Sequence, residues 1–349
     1  GWLEPQLFRL YESPKSIVFP QIMAIDSVNF DYQNNHGIGC FLSFKWVMQE
    51  RASLTGSISK PDAIASPSMA GGLFAVRLDW FWELGGYDEE FAMWGAENVE
   101  MGFRVWMCGG RLECTPCARV YHIYRKDGHA YKSPSECLWK NRLRTARIWT
   151  DEFYQLAEKF TNHPGFDIGP LDKMLELKER LNCKSFKWFL ENVHPTLELQ
   201  DMSQIDILGE LRNQHYDKHC IDTLSNSKQG QPWGYFGCHG SGGTQGFVFI
   251  AGSGKIRSFS DETRCIGIKG TITDCKTKKE DAYFSFPHDR TVRWKAGTDE
   301  ELCMAMTRKE DDSKEVKFVP CDLSDDRNLW LYSKWSPDPN FALPDFSPE

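Results

Sequence analysis

The first stretch with a clear pattern is Ser16-Ile17-Val18-Phe19-Pro20-Gln21-Ile22-Met23-Ala24-Ile25, an almost unbroken apolar run of strand length. A strand without a polar face is buried on both sides, and the run predicts such a strand. Ala70–Val76 predicts a glycine-rich turn leading into a second strand. Asn98–Met107 has helical spacing and is followed by Gly109-Gly110, which predicts a short helix with a glycine stop. This alternation over residues 1–130 predicts an α/β arrangement. From Ser135 to Phe160 the spacing predicts continuous helix, with Leu138, Trp139, Ile148, Trp149, Phe153 and Leu156 on one stripe. Arginines and lysines lie opposite, and the basic run Lys140–Arg147 reads as a solvated face. Shorter helices are expected over Leu171–Leu181 and Phe186–Asn192, and the proline-bearing stretch His194–Asp206 reads as linker.

Past that stretch helical periodicity disappears. Short strand-like runs are separated by Gly, Asn, Asp and Ser, and a repeat emerges. Three cysteine pairs can be drawn: Cys220–Cys238, Cys265–Cys275 and Cys303–Cys321. Phe247, Phe284 and Trp330 each fall nine positions after the second cysteine of a pair. The pattern predicts a threefold unit in which every repeat closes one loop covalently and gives one aromatic to a shared core.

Composition narrows the function. A net charge of −8 over 349 residues argues against nucleic acid as a partner, because phosphate binding needs a basic footprint. Twelve cysteines point to disulfides in an oxidising compartment. Cys114-x-x-Cys117 is the one paired spacing of zinc-site type, and no second pair follows it at a finger-like distance. No apolar run is long enough to span a bilayer. The chain starts at Gly1 rather than Met, so an incomplete N-terminus is expected.

The repeat region resembles the ricin-type lectins, whose repeats carry a Cys-Leu-Asp element and end in Gln-x-Trp. The first repeat has Cys220-Ile221-Asp222, Cys238-His239 and Gln245-Gly246-Phe247. The other two have Gly267 and Ala305 in place of the aspartate. The resemblance implies one sugar pocket, formed by Asp222, Phe236 and His239, with Thr244 where asparagine is usual. Repeats two and three are expected to be structural.

The preceding part resembles the catalytic domain of the polypeptide N-acetylgalactosaminyltransferases. The carrying residues are Met69-Ala70-Gly71-Gly72-Leu73-Phe74, Trp94-Gly95-Ala96-Glu97-Asn98, Phe103–Gly110, Val120-Tyr121-His122-Ile123-Tyr124-Arg125-Lys126 and Cys183–Asn192. Together these imply a GT-A-like α/β glycosyltransferase lacking its N-terminal half over residues 1–193, a linker over 194–203 and an all-β trefoil lectin domain over 204–335. The implied reaction moves N-acetylgalactosamine (GalNAc) from UDP-GalNAc to Ser or Thr of polypeptides with retention, using Mn2+.

By the same resemblance, Glu97 and Asn98 are catalytic, and His122 is one of three protein ligands to the metal. Ala70, Gly71, Gly72, Trp94, Gly95, Arg125 and Tyr131 bind donor or sugar. Phe44 and Trp46 wall the acceptor-peptide groove. Ala96 replaces a usual glycine. Cys108 is implied to pair with Cys183, while the usual partner of Cys117 lies upstream. A type II anchor holding the protein on the lumenal side of the Golgi membrane is expected upstream too, and the chain from Gly1 is expected to be inactive alone. The alternative is a lectin-like pseudoenzyme that keeps the scaffold and binds sugar.

Overall fold

The computed structural model describes residues 1–52, 62–124, 133–161, 165–197, 199, 201–239, 243–250, 252–276, 283–287 and 289–332, the side chains of 34–38 aside. These form two compact units, one of residues 1–157 and 165–197, the other of 158–161 and the described residues between 199 and 332.

In the first unit α1 (Glu4–Glu12) leads to β1 (Ser16–Ile25), which the apolar run anticipated to the residue. Then come β2 (Tyr32–Gly39), the hairpin β3 (Leu42–Lys45) and β4 (Gln49–Ala52), and the short β5 (Ile64–Ala65) and β6 (Ala75–Val76). After α2 (Leu78–Glu83) and α3 (Glu97–Met107) the chain enters β7 (Arg111–Ile123). The sheet order is β2-β1-β7-β5, with β6 also on β1. β1 and β7 are parallel from Ser16↔Arg111 to Ile25↔Ile123, so both end at the same edge. Gly109 takes φ +90° and the Gly110 amide bonds back to the Val105 carbonyl at 2.8 Å, which ends α3.

The long helix is broken. α4 (Ser135–Trp149) stops, a 3-10 turn spans Asp151–Phe153, and α5 (Tyr154–Thr161) resumes. Asp151 sits at φ +47°, where its carboxylate accepts from Lys178 Nζ and from the Phe186 amide, both at 2.7 Å. That carboxylate thus anchors α6 (Asp172–Arg180) and the start of α7 (Phe186–Asn192) at the break. The basic run is not a solvated face throughout either. Arg144 is buried, its guanidinium paired with Asp88 at 2.6 and 3.0 Å and with the Ile168 carbonyl at 3.1 Å. Removing one partner would strand a buried charge, at a cost of about 3–5 kcal/mol.

Phe44, Trp46, Phe103, Phe153, Phe186 and Phe189 form one aromatic cluster beneath the hairpin. Bridges join Cys108 to Cys183 and Cys40 to Cys114. Cys40 lies between β2 and β3, so the second bridge ties the root of the hairpin to the first part of β7.

The second unit is built of short antiparallel strands. β8 (Ile205–Gly209), β9 (Arg212–Asn213), β10 (His219–Asp222), β11 (Gly234–Gly237) and β12 (Phe247–Ile250) come first. β13 (Ile256–Ser258), β14 (Arg264–Ile266) and β15 (Ile272–Asp274) follow. The last are β16 (Phe284–Ser285), β17 (Arg293–Trp294), β18 (Leu302–Arg308), β19 (Lys314–Pro320) and β20 (Trp330–Leu331). Their sheets run β11-β10-β9-β20, β15-β14-β13-β12-β8 and β16-β17-β18-β19. The last strand pairs with β9, Trp330 opposite Asn213, which closes the ring. Bridges Cys220–Cys238, Cys265–Cys275 and Cys303–Cys321 recur once per repeat. Phe247, Phe284 and Trp330 meet in one buried core with Trp233, Phe249 and Met304. This is a β-trefoil.

Candidate active site and carbohydrate pocket

The start of α3 brings several of the expected residues together. Gly95 takes φ +111° and Ala96 φ +68°, which turns the chain sharply into the helix. The Glu97 carboxylate folds back to accept from the Gly95 amide at 2.6 Å. Asn98 lies over Gly71: a Cβ there would fall 1.8 Å from Asn98 Oδ1, so the close approach requires glycine. At Gly72, by contrast, a Cβ would meet nothing within 4 Å. Ala70 turns the chain by accepting from the Leu73 amide at 3.3 Å, and Ser68 Oγ donates to the Asn98 carbonyl at 3.3 Å. Trp94 is 49% exposed, free to offer a ring face.

Two contributors were not singled out in the sequence. Asn141 on α4 is buried and bolts the loop before α3. Its Oδ1 accepts from the Ala92 amide and its Nδ2 donates to the Ala92 and Gly95 carbonyls, all at 2.9 Å. The other is Glu50 on β4, opposite Phe44 in the hairpin, whose carboxyl is pushed above its ordinary range by burial, with Glu97 adding to this. Asn141 stands inside the basic run, and Glu50 follows the aromatic strand like any hairpin charge. Neither carries a local signal.

His122 is placed at the exposed end of β7, in register with Ala24 of β1, its ring 4.5 Å from that of Tyr124. The C-terminal ends of parallel strands are where open α/β sheets take ligands. Just past β1 the Asp26 carboxylate accepts from the Val28 amide at 2.8 Å and shapes the neighbouring turn. A lone exposed imidazole suits Mn2+ when oxygens complete the sphere. Among the described residues the one trio of metal-capable groups is Glu210, Cys220 and Cys238, whose two cysteines are bonded to each other. Among the described residues His122 belongs to no such trio. Arg125 and Tyr131 lie outside the described residues.

The acceptor-groove expectation for Phe44 and Trp46 is overturned. Both side chains are wholly buried, Phe44 edge-on to Phe103 at 4.8 Å and Trp46 stacked on Phe153 at 5.8 Å. Hydrophobic burial claims these rings, and truncating either to alanine would cost about 3–5 kcal/mol.

In the trefoil, Asp222 ends β10 and is 4% exposed. Its Oδ1 accepts from the Leu224 amide at 2.6 Å. Its Oδ2 accepts from Thr244 Oγ at 3.2 Å and Gln245 Nε2 at 3.0 Å. Gln245 also donates to the Gly237 carbonyl and accepts from the His239 amide, at 2.9 and 3.1 Å. Phe236 is 63% exposed on β11, opposite Cys220 and thus two pairs along from Asp222. A fixed carboxylate beside an open aromatic is the usual equipment for a sugar ring. In the second repeat the matching Gly267 carbonyl is taken by Trp233 Nε1 at 2.9 Å, and in the third Ala305 is buried.

Residues 59–126 match a family described as the N-terminal domain of galactosyltransferase. The fold aligns with the crystal structure of GalNAc-T7 with UDP, GalNAc and Mn2+, at a TM-score of 0.72 and 25% identity, over 95% of this chain and 62% of that one. Sheet, helix entry and trefoil thus define an α/β part with the GT-A-like fold of glycosyltransferases, followed by a β-trefoil. Polypeptide N-acetylgalactosaminyltransferase 4 of Caenorhabditis elegans is 34% identical over 95% of the chain and 57% of its own length. Polypeptide N-acetylgalactosaminyltransferase 3 of Mus musculus is 31% identical over 96% of the chain and 55% of its own length. The chain belongs to the polypeptide N-acetylgalactosaminyltransferase family, and it spans little more than half the length of these relatives.

Proposed function

We propose that this chain supplies the sugar-facing part of a transferase that moves GalNAc from UDP-GalNAc to Ser or Thr of polypeptides with retention. The observation that carries the reading is the start of α3, where Asn98 lies over Gly71 while Glu97 is held by Gly95. There Glu97 keeps lone pairs free to accept from the hydroxyls of the transferred sugar. The open space at Gly72 admits the sugar against backbone, and Trp94 offers it a ring face. Mn2+, when bound, neutralises charge on the departing diphosphate. His122 is the residue of this chain that would hold it, and the family resemblance implies that Arg125 would bind the phosphates. Five disulfides suit an oxidising lumen, and we place the protein on the lumenal side of the Golgi membrane. No helix among the described residues is long and apolar enough to cross a membrane.

The test is transfer from UDP-GalNAc to a Ser/Thr peptide by the protein expressed from its whole coding sequence, read by mass spectrometry. Addition of one N-acetylhexosamine to a Ser or Thr supports the reading, and its absence with Mn2+ present counts against it.

The Asp222 arrangement supports a second role, GalNAc binding by the trefoil, which is also what the pseudoenzyme alternative would retain. Titration with GalNAc should give saturable binding that Asp222→Asn abolishes. Binding that survives the substitution would put the pocket elsewhere.

A further inference from the structure

The turn that enters α3 is not one a chain takes up readily. Between Ala92 and Glu97 the backbone is left-handed at Met93, Gly95 and Ala96, with φ of +49°, +111° and +68°. Two of these residues carry a Cβ, and such a conformation persists only where the surroundings impose it. One face of α4 imposes it. Asn141 is wholly buried and holds Ala92 by both amide and carbonyl and Gly95 by its carbonyl. One carboxamide thus grips the chain on either side of the exposed Met93 and Trp94. Leu138, one turn earlier on α4, covers Gly95, where a Cβ would fall 2.5 Å from Leu138 Cδ2. Gly95 is held at both of its polar groups: its carbonyl accepts from Asn141 and its amide donates to Glu97.

We propose that Asn141 is a positioning residue of the sugar-facing site, acting through Gly95 to fix where the Glu97 carboxylate stands. The inference rests on the sugar-facing reading of Glu97. All three Asn141 bonds go to backbone, so what they set is the path of the chain. Glu97 follows because its carboxylate is bonded to that path. Without the carboxamide the Ala92 and Gly95 carbonyls lose this donor, the turn relaxes, and Glu97 is released from one orientation to several. An acceptor that stood ready must then be ordered at every turnover.

Two measurements on the full-length protein test this. The first is a double-variant cycle on the rate of transfer from UDP-GalNAc with Mn2+. Asn141→Ala should lower kcat about tenfold or more and leave inhibition by UDP alone within about twofold of the parent, because the turn faces the sugar. Asn141→Ala/Glu97→Gln should be at most about twofold slower than Glu97→Gln, since a residue that acts through Glu97 has nothing further to lose. Losses that multiply, or UDP inhibition that weakens in step with the rate, are what a merely structural asparagine gives, and either would overturn the proposal. So would a rate for Asn141→Ala within about twofold of the parent. The second measurement is hydrogen exchange read by mass spectrometry. Asn141→Ala should speed exchange in the peptide carrying the Ala92 and Gly95 amides by about tenfold or more, with β1 and β7 unchanged. This arm decides even if no protein transfers sugar, an outcome that would sink the transferase reading but not the hold of Asn141 on Gly95. Unchanged exchange there would overturn the proposal. Leu138→Ala removes the packing on Gly95 and keeps the three bonds, so it is the milder variant should Asn141→Ala not fold. Its cycle with Glu97→Gln and its exchange are read in the same way.

Discussion

Opening the Cys40–Cys114 bridge is a sharp test of how the first unit is held together. The bridge joins residues separated by 74 positions. In the chain-entropy account a closed loop of that size restricts the unfolded state by about 4.5 kcal/mol, against about 2.7 kcal/mol for the ten-position loop of Cys265–Cys275. Both cysteines are wholly buried, so alanine is the better replacement, because serine would bury two hydroxyls. The pair Cys40→Ala/Cys114→Ala should cost about 4 kcal/mol, and Cys265→Ala/Cys275→Ala roughly two-thirds of that. Calorimetry that resolves the two units should assign the first loss to the unit carrying α3 and the second to the trefoil. Peptide mapping without reductant checks the pairing beforehand. A loss under about 1 kcal/mol on opening Cys40–Cys114, or a larger loss from the trefoil pair, would refute the loop-length reasoning.

Ala96 holds a left-handed conformation at φ +68°. Glycine removes about 1–2 kcal/mol of strain and returns about 0.4–1 kcal/mol through a freer unfolded chain. Ala96→Gly should therefore stabilise by about 0.5–1 kcal/mol in urea melts. His194, which opens the predicted linker, is in fact buried and bonded to Ser43. Burial, with Arg51 adding, holds its imidazole down at about 4 from an ordinary 6.5. The unfolded chain thus takes up the proton first, and stability is complete above pH 6.5 and falls by ~3 kcal/mol as pH drops to 4. An NMR titration should find this ring still neutral at pH 5, and a midpoint near 6.5 would contradict its burial.

Features written in consecutive residues were legible in the sequence. The apolar run of β1 spells a strand buried on both faces, Gly109-Gly110 spells a helix stop, and the nine-position aromatics mark the trefoil core. Features decided by distant partners were not. The stripe from Leu138 to Leu156 keeps helical spacing across Asp151, so the break is set by Lys178 and the Phe186 amide rather than by local pattern. Arg144 reads as solvated until Asp88, 56 positions earlier, is found against it. Phe44 and Trp46 show the reverse. An aromatic pair on a strand carries no mark of whether its rings meet a ligand or each other, and here the core takes them. At the site, Glu97 and Asn98 stood in a recognisable motif, whereas Asn141 acts on it from another element.

The most direct test of the central claim is the rate of GalNAc transfer to a Ser/Thr peptide by the full-length protein with Mn2+, parent against Glu97→Gln. A carboxylate that accepts from the sugar as it is transferred should matter to the rate constant, and loss of such a preorganised contact typically costs about 100-fold or more in kcat. The account predicts that loss, with the fold intact by calorimetry. Transfer by Glu97→Gln within a few-fold of the parent would contradict it.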